Sequence, residues 1–123
     1  MVARARQKAG RRRLAIDLRV EPVEQLSFAD QTFDVVVSSL VFHHLPAALK
    51  RQALTEIRRV LKPGGRLLLV DLLGPTPAFL LHSHLQTTLP DLLSLVDGAG
   101  FLQVEWQRGP FPALGFLRAQ TAP

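Results

Sequence analysis

Two short apolar runs, Phe33 to Val37 and Leu67 to Val70, separated by a helix's worth of residues, constrain this chain more than any other feature. Phe33-Asp34-Val35-Val36-Val37 carries three consecutive valines without polar alternation, the pattern of a strand covered on both faces in a parallel sheet. Leu67 to Val70 reads the same way. Between them Leu49, Ala53, Ile57, Val60 and Leu61 recur at helical spacing while Lys50, Arg51, Glu56 and Arg59 fall elsewhere, which predicts a helix over Ala47 to Leu61. Pro46 suits its first turn, and Pro63, Gly64 and Gly65 stop it, because proline disfavours helical geometry in the residue before it and glycine tolerates positive φ after it. Strand, helix, strand with both strands buried is a parallel crossover unit, so helices must flank the sheet.

The flanking segments are of several kinds. Val2 to Arg13 is rich in helix formers and predicts a short surface helix that Gly10 can end. Leu14, Ile16, Leu18 and Val20 alternate with Ala15, Asp17 and Arg19, the period of two of a strand with one face covered, stopped by Pro22. Leu89 to Ala99 predicts a helix with Leu92, Leu93, Leu95 and Val96 inward, closed by Gly98 and Gly100. Phe101 to Gln107 and Leu114 to Gln120 predict two strands, and the short connection through Gly109, Pro110 and Pro112 makes them an antiparallel hairpin. Gly74 to Thr88 has no clear period and reads as a mobile connection or a short irregular helix.

Composition excludes several functions. The 123 residues fit one domain, and charges or prolines interrupt every apolar run short of the roughly 18 to 20 residues a membrane span needs, so a soluble chain with a cytoplasmic location is the default. There is no cysteine, hence no disulfide, thiolate metal site or cysteine nucleophile. The net charge of +5 is local: Arg4, Arg6, Lys8, Arg11, Arg12 and Arg13 carry six positive charges into the first 13 residues without one acid. Such a head can bind phosphates, but without interleaved aromatics or a nucleic-acid motif it reads as a solvated helix face and not as a nucleic-acid interface.

Several segments together resemble one family. Gln25-Leu26-Ser27-Phe28-Ala29-Asp30-Gln31-Thr32-Phe33-Asp34-Val35-Val36, His43-His44-Leu45, Glu56-Ile57-Arg58-Arg59-Val60-Leu61-Lys62-Pro63-Gly64-Gly65 and Ala99-Gly100-Phe101 are similar to the later part of class I S-adenosylmethionine-dependent methyltransferases of the small-molecule and ubiquinone-biosynthesis type. The resemblance implies an α/β fold, here an incomplete doubly wound, Rossmann-like methyltransferase sheet ending in the antiparallel hairpin. It makes residues 1–123 a single partial domain, because the family's first two strands and its glycine-rich cofactor turn have no counterpart: none of the eight glycines forms GxGxG or GxGxxG.

The implied cofactor is S-adenosylmethionine, held at the carboxyl ends of the strands. Where the family places an adenine-binding acid, four residues before Leu26, this chain has Pro22, so adenine recognition is expected to be impaired or rearranged, with Glu21 or Glu24 substituting after a small shift and Val23 offering its backbone amide. Ser38, Ser39 and Leu40 lie in the region beside the methionine part of the cofactor, and His43 or His44 is placed to act as a base if the acceptor must lose a proton. Against that, one of two adjacent histidines after a buried strand ordinarily packs and the other caps or faces solvent. Asp71, at the end of the second central strand, is a candidate substrate contact, while Asp34, at the other end of its strand, reads as structural. Trp106 reads as core or hairpin packing, and His82 and His84 lack a nearby acid to complete a metal site.

Two expectations follow. One is a methyltransferase fragment acting on a small-molecule acceptor, inactive as the isolated chain. The other is a non-enzymatic remnant or interaction module that keeps the second half of the fold. In both, removal of the first two strands leaves Phe33 to Val37 with an unpaired apolar edge, which Leu14 to Val20 covers, or which drives self-association or pairing with a partner chain.

Overall fold

The computed structural model describes residues 1–72, 89–110 and 114–123, and the segment Gly74 to Thr88, with His82 and His84, lies outside them, as does Pro112. Seven elements follow in order: α1 (Val2–Arg11), β1 (Phe33–Ser39), α2 (Ala47–Val60), β2 (Leu61–Leu72), α3 (Leu89–Gly98), β3 (Leu102–Arg108) and β4 (Leu114–Gln120). The strands form one sheet in the order β1-β2-β4-β3. β1 runs parallel to β2, as the crossover through α2 requires, and β4 runs antiparallel to both β2 and β3.

Helix α2 buries Lys50, Ala53, Leu54, Ile57 and Val60 along one stripe. With Leu92 and Val96 of α3 and with Phe101, its Ala53, Leu54 and Ile57 pack on Leu67 and Leu69 of β2 and on Leu117 and Ala119 of β4, forming one hydrophobic core. These strand residues alternate with outward ones, so the core occupies a single face of the sheet. Among the described residues no helix is long and apolar enough to cross a membrane.

Several expectations are corrected. Leu14 to Val20 is not a strand; the segment runs without regular structure, with Leu14, Ile16 and Val20 exposed, because its alternating pattern finds no strand to pair with. Nor does it cover the edge of β1. That strand is not buried on both faces: Val35 and Val37 point to the open side of the sheet at 44% and 60% exposure, so among the described residues helices flank one face only. Of the two readings of Trp106, the structure shows the hairpin one: it lies opposite Leu117 and is 45% exposed. Gly10 lies within α1, which is closed by the Arg12 N–H on the Lys8 carbonyl (3.2 Å) and the Arg13 N–H on the Gly10 carbonyl (3.1 Å).

Pro63, Gly64 and Gly65 also work differently from a helix stop. The helix ends at Val60 and Leu61 turns directly into extended geometry, so the strand begins before the proline. The register passes from Phe33 opposite Leu61 to Val35 opposite Arg66, which makes Lys62 to Gly65 a bulge in β2. The chain's end ties it down. Gly64 N–H donates to the Ala122 carbonyl (3.0 Å), Gly65 N–H to the Thr121 hydroxyl (2.9 Å), and that buried hydroxyl donates to the Lys62 carbonyl (2.7 Å). Gly64 needs its positive φ of 72°, while Gly65 needs its lack of a side chain, since a Cβ there would stand 2.8 Å from the Lys62 carbonyl oxygen.

The two glycines therefore differ in how they resist substitution. Gly64→Ala, in open space, is expected to cost about 1 kcal/mol of conformational strain, whereas Gly65→Ala must displace backbone and is expected to cost about 2 to 3 kcal/mol. Urea unfolding of both variants checks the order, and equal losses would contradict the bulge geometry.

Candidate functional site

The last rungs of the parallel pair set Ser38 opposite Leu69 and Ser39 opposite Val70. Leu40 N–H closes the ladder on the Val70 carbonyl at 2.8 Å, and Leu40 then adopts a left-handed φ of 58°, unusual for a γ-branched side chain and typical of a constrained functional turn. A single 3-10 turn, Phe42–His44, follows. Phe42 anchors it in the core at 1% exposure, and Leu45 N–H bonds the Phe42 carbonyl (3.0 Å). His43 is thereby delivered beside the end of β2.

There it meets Asp71. This aspartate lies on the helix-covered side of β2, in phase with Leu67 and Leu69, and only 2% of it is exposed. Its Oδ1 lies 2.6 Å from His43 Nδ1 and accepts from Leu72 N–H at 2.8 Å, while Oδ2 accepts from His43 N–H at 3.2 Å. A carboxylate buried with three donors around it is satisfied, so its ionised form is tenable there. An ionised carboxylate only accepts, which places the proton of neutral His43 on Nδ1 and leaves the Nε2 lone pair available. His44 is exposed and stacks on His43 with ring centres 3.9 Å apart.

Lys50, on α2, is 7% exposed. Burial lowers the pKa of its ammonium, opposed by the charges of Asp71 and Asp91. Among the described residues no three metal-ligating side chains gather. A groove of about 620 Å³ between α2 and α3 is lined by Lys50 and Asp91 but by neither Ser38, His43 nor Asp71, which gather instead at the strand ends where loops diverge.

The other expected residues are spread along the approach to β1. Val23 packs against the core, Glu24 beside it is half-buried, and neither hydrogen-bonds Ser38, Ser39 or Leu40 among the described residues. Glu21 is engaged locally, accepting Ser27 N–H at 3.1 Å. Asp34 makes an exposed ion pair with Lys62 at 3.5 Å, not a backbone hydrogen bond.

Sequence reasoning missed what holds this loop. Glu56 accepts the Leu26 N–H (2.8 Å) and two hydrogen bonds from Arg59, whose guanidinium also donates to the carbonyls of Phe28 (2.8 Å) and Leu26 (3.0 Å) and to Asp30 (2.8 Å). The spacing of the two residues by three on α2 was the available signal. Arg59 first, and then the Leu26 amide, hold the Glu56 carboxyl below its ordinary pKa, and the guanidinium pKa is raised in turn.

A depressed carboxylate contributes stability that is present above its unfolded value of 4.5 and is lost as pH falls through the lower folded value. Glu56→Gln is therefore expected to melt below the parent chain at pH 7, with the gap closing on acidification below 4.5. Thermal melts across that range read the difference, and a gap that persisted in acid would remove the ionic contribution.

Comparison with known proteins adds to this geometry. The family model of the methyltransferase domain matches residues 1–69. A demethylmenaquinone methyltransferase of Deinococcus radiodurans is 35% identical over 101 residues, covering 80% of this chain and 41% of that protein. The chain spans less than half the length of the curated relatives it matches. Among solved structures, a SAM-dependent methyltransferase from Aquifex aeolicus superposes with a TM-score of 0.81 at 18% identity, over 98% of this chain and 63% of that one. The [4+2]-cyclase SpnF superposes equally well, 0.81 at 19% identity over 98% and 62%, so likeness of fold alone assigns no chemistry.

Proposed function

This chain belongs to the methyltransferase-domain family, and we propose that it supplies the acceptor side of an S-adenosylmethionine-dependent methyl transfer to a small molecule. The observation that carries the reading is the convergence, at the carboxyl ends of the parallel pair, of a constrained Ser38-Ser39-Leu40 turn and a His43 held by a buried Asp71. When bound, the cofactor supplies a methyl group on a sulfonium; the protein's part is to align the acceptor, exclude water and take a proton where one must leave.

The residues present fit one end of that cofactor. Ser38, Ser39 and Leu40 offer a wall for the methionine end, and Val23 and Glu24 lie on the loop that would meet the adenine. The glycine-rich turn and the acid that would hold the ribose have no counterpart among the 123 residues. Methyl transfer by this half of the fold accordingly depends on a polypeptide that contributes those parts.

That division predicts weak binding in defined places. Calorimetry with the chain alone is expected to show no micromolar affinity for S-adenosylmethionine. Residue-resolved NMR with S-adenosylhomocysteine at millimolar concentration should shift the amides of Val23, Glu24, Ser38, Ser39 and Leu40. A micromolar heat would overturn the dependence on a second part, and shifts that avoid these residues would overturn the placement.

A partner for the sheet is part of the same reading. β1 is an edge strand with Val35 and Val37 exposed on its open face, a combination that templates strand pairing with a second copy or with a completing segment. Self-association of the isolated chain is the expected result by light scattering, reduced in Val37→Asp. A monodisperse monomer would argue that the edge is already protected.

A further inference from the structure

We propose that His43, and not His44, is the base of this site, that Asp71 is its positioning residue, and that the pair fits acceptors which must surrender a proton, a hydroxyl or an activated C–H. The inference rests on the methyl-transfer reading and deepens it by naming the acceptor class. It also reassigns Asp71. A side chain with 3% of its surface exposed and both oxygens engaged by His43 and Leu72 is poorly placed to bind substrate directly.

The two histidines differ in what surrounds them. His44 is exposed, and beyond its ring contact with His43 no described side chain fixes its tautomer. His43 has its backbone and its Nδ1 bound to the two oxygens of one carboxylate, and 17% of its side chain remains accessible. Nε2 has no hydrogen-bond partner among the described residues, so it is the nitrogen left to receive a proton. The 2.6 Å contact to a buried carboxylate stabilises the imidazolium that proton transfer would create.

The chemistry that needs this arrangement is specific. A thioether or tertiary amine already carries its nucleophilic electron pair and gains nothing from a base. With a hydroxyl or activated C–H, the proton passes to His43 Nε2 and the electron pair it leaves forms the bond to the methyl carbon. The carbon–sulfur bond breaks with its pair remaining on sulfur, so the sulfonium becomes a neutral thioether and the positive charge ends on His43, next to Asp71.

Nitrogen NMR of the histidine rings in the full chain tests this without an acceptor. At neutral pH, His43 is expected as a single tautomer with the proton on Nδ1, and His44 as a mixture. In Asp71→Asn the amide cannot accept at both oxygen positions, so His43 should become a mixture too, and modification of its Nε2 by diethylpyrocarbonate should slow. Asp71→Glu should restore part of both signals. The wild-type tautomer stands even if a variant fails to fold.

A proton on Nε2 in the wild type, an Nε2 that diethylpyrocarbonate does not reach, or a tautomer and modification rate unchanged by Asp71→Asn, overturns the assignment even where S-adenosylhomocysteine shifts the Ser38 to Leu40 amides. A fixed His43 tautomer in a chain whose Ser38 to Leu40 amides ignore S-adenosylhomocysteine overturns the methyl-transfer reading instead. The two failures are thus distinguishable.

Discussion

The pairing of β1 with β2 is the interaction on which the rest depends, and it is pinned at both ends. At one end the Lys62 to Gly65 bulge is fastened by Thr121 and Ala122, so the residues after β4 decide where the ladder may start. At the other end Leu40 closes on Val70, and the Asp71 carboxylate clasps the turn that follows. Since side chains alternate along a strand, a slip of one residue would turn Leu67, Leu69 and Asp71 together to the open face. The core and the candidate site therefore share one register.

Much of this was legible because the relevant patterns are local. The helical stripe from Ala53 to Val60, the apolar run at Leu67 and the turn between the last two strands each specify their element without outside help. Leu14 to Val20 marks the limit of that logic. An alternating period states which environment a segment suits, not that a neighbouring strand is there to supply it, and here Ile16 and Val20 remain in solvent. The three valines of β1 fail in the same sense: they suit a two-sided environment, and only Val36 faces the core.

The site was legible in its parts and not in its pairings. Adjacent histidines after a strand, and an aspartate at the end of the next, are visible as candidates; that Nδ1 of one meets the carboxylate of the other depends on the Lys62 to Gly65 bulge, because the bulge sets how far β2 travels beside β1. No period reports that offset. The Glu56 and Arg59 clamp is similar. Its helical spacing is visible, yet the backbone groups of Leu26 and Phe28 that it captures lie about thirty residues away in sequence and only folding brings them near.

What results is a fold whose two functional regions are held unequally. Asp71 lies on β2, which has strands on both sides and helices above, and a buried carboxylate with three donors constrains His43 in position and tautomer alike. Ser38, Ser39 and the loop with Val23 belong to the edge strand and its approach, where one sheet face is open and Glu56 with Arg59 provides the main attachment. A site needs its reacting groups fixed more tightly than the groups that merely enclose a ligand, since small misplacements of the former cost most in rate. Under the proposed roles, His43 on the turn after β1 is fixed from the inner strand through Asp71 while the ligand wall occupies the open strand, so completing the sheet beside β1 would order the wall and leave the Asp71 contact to hold the base.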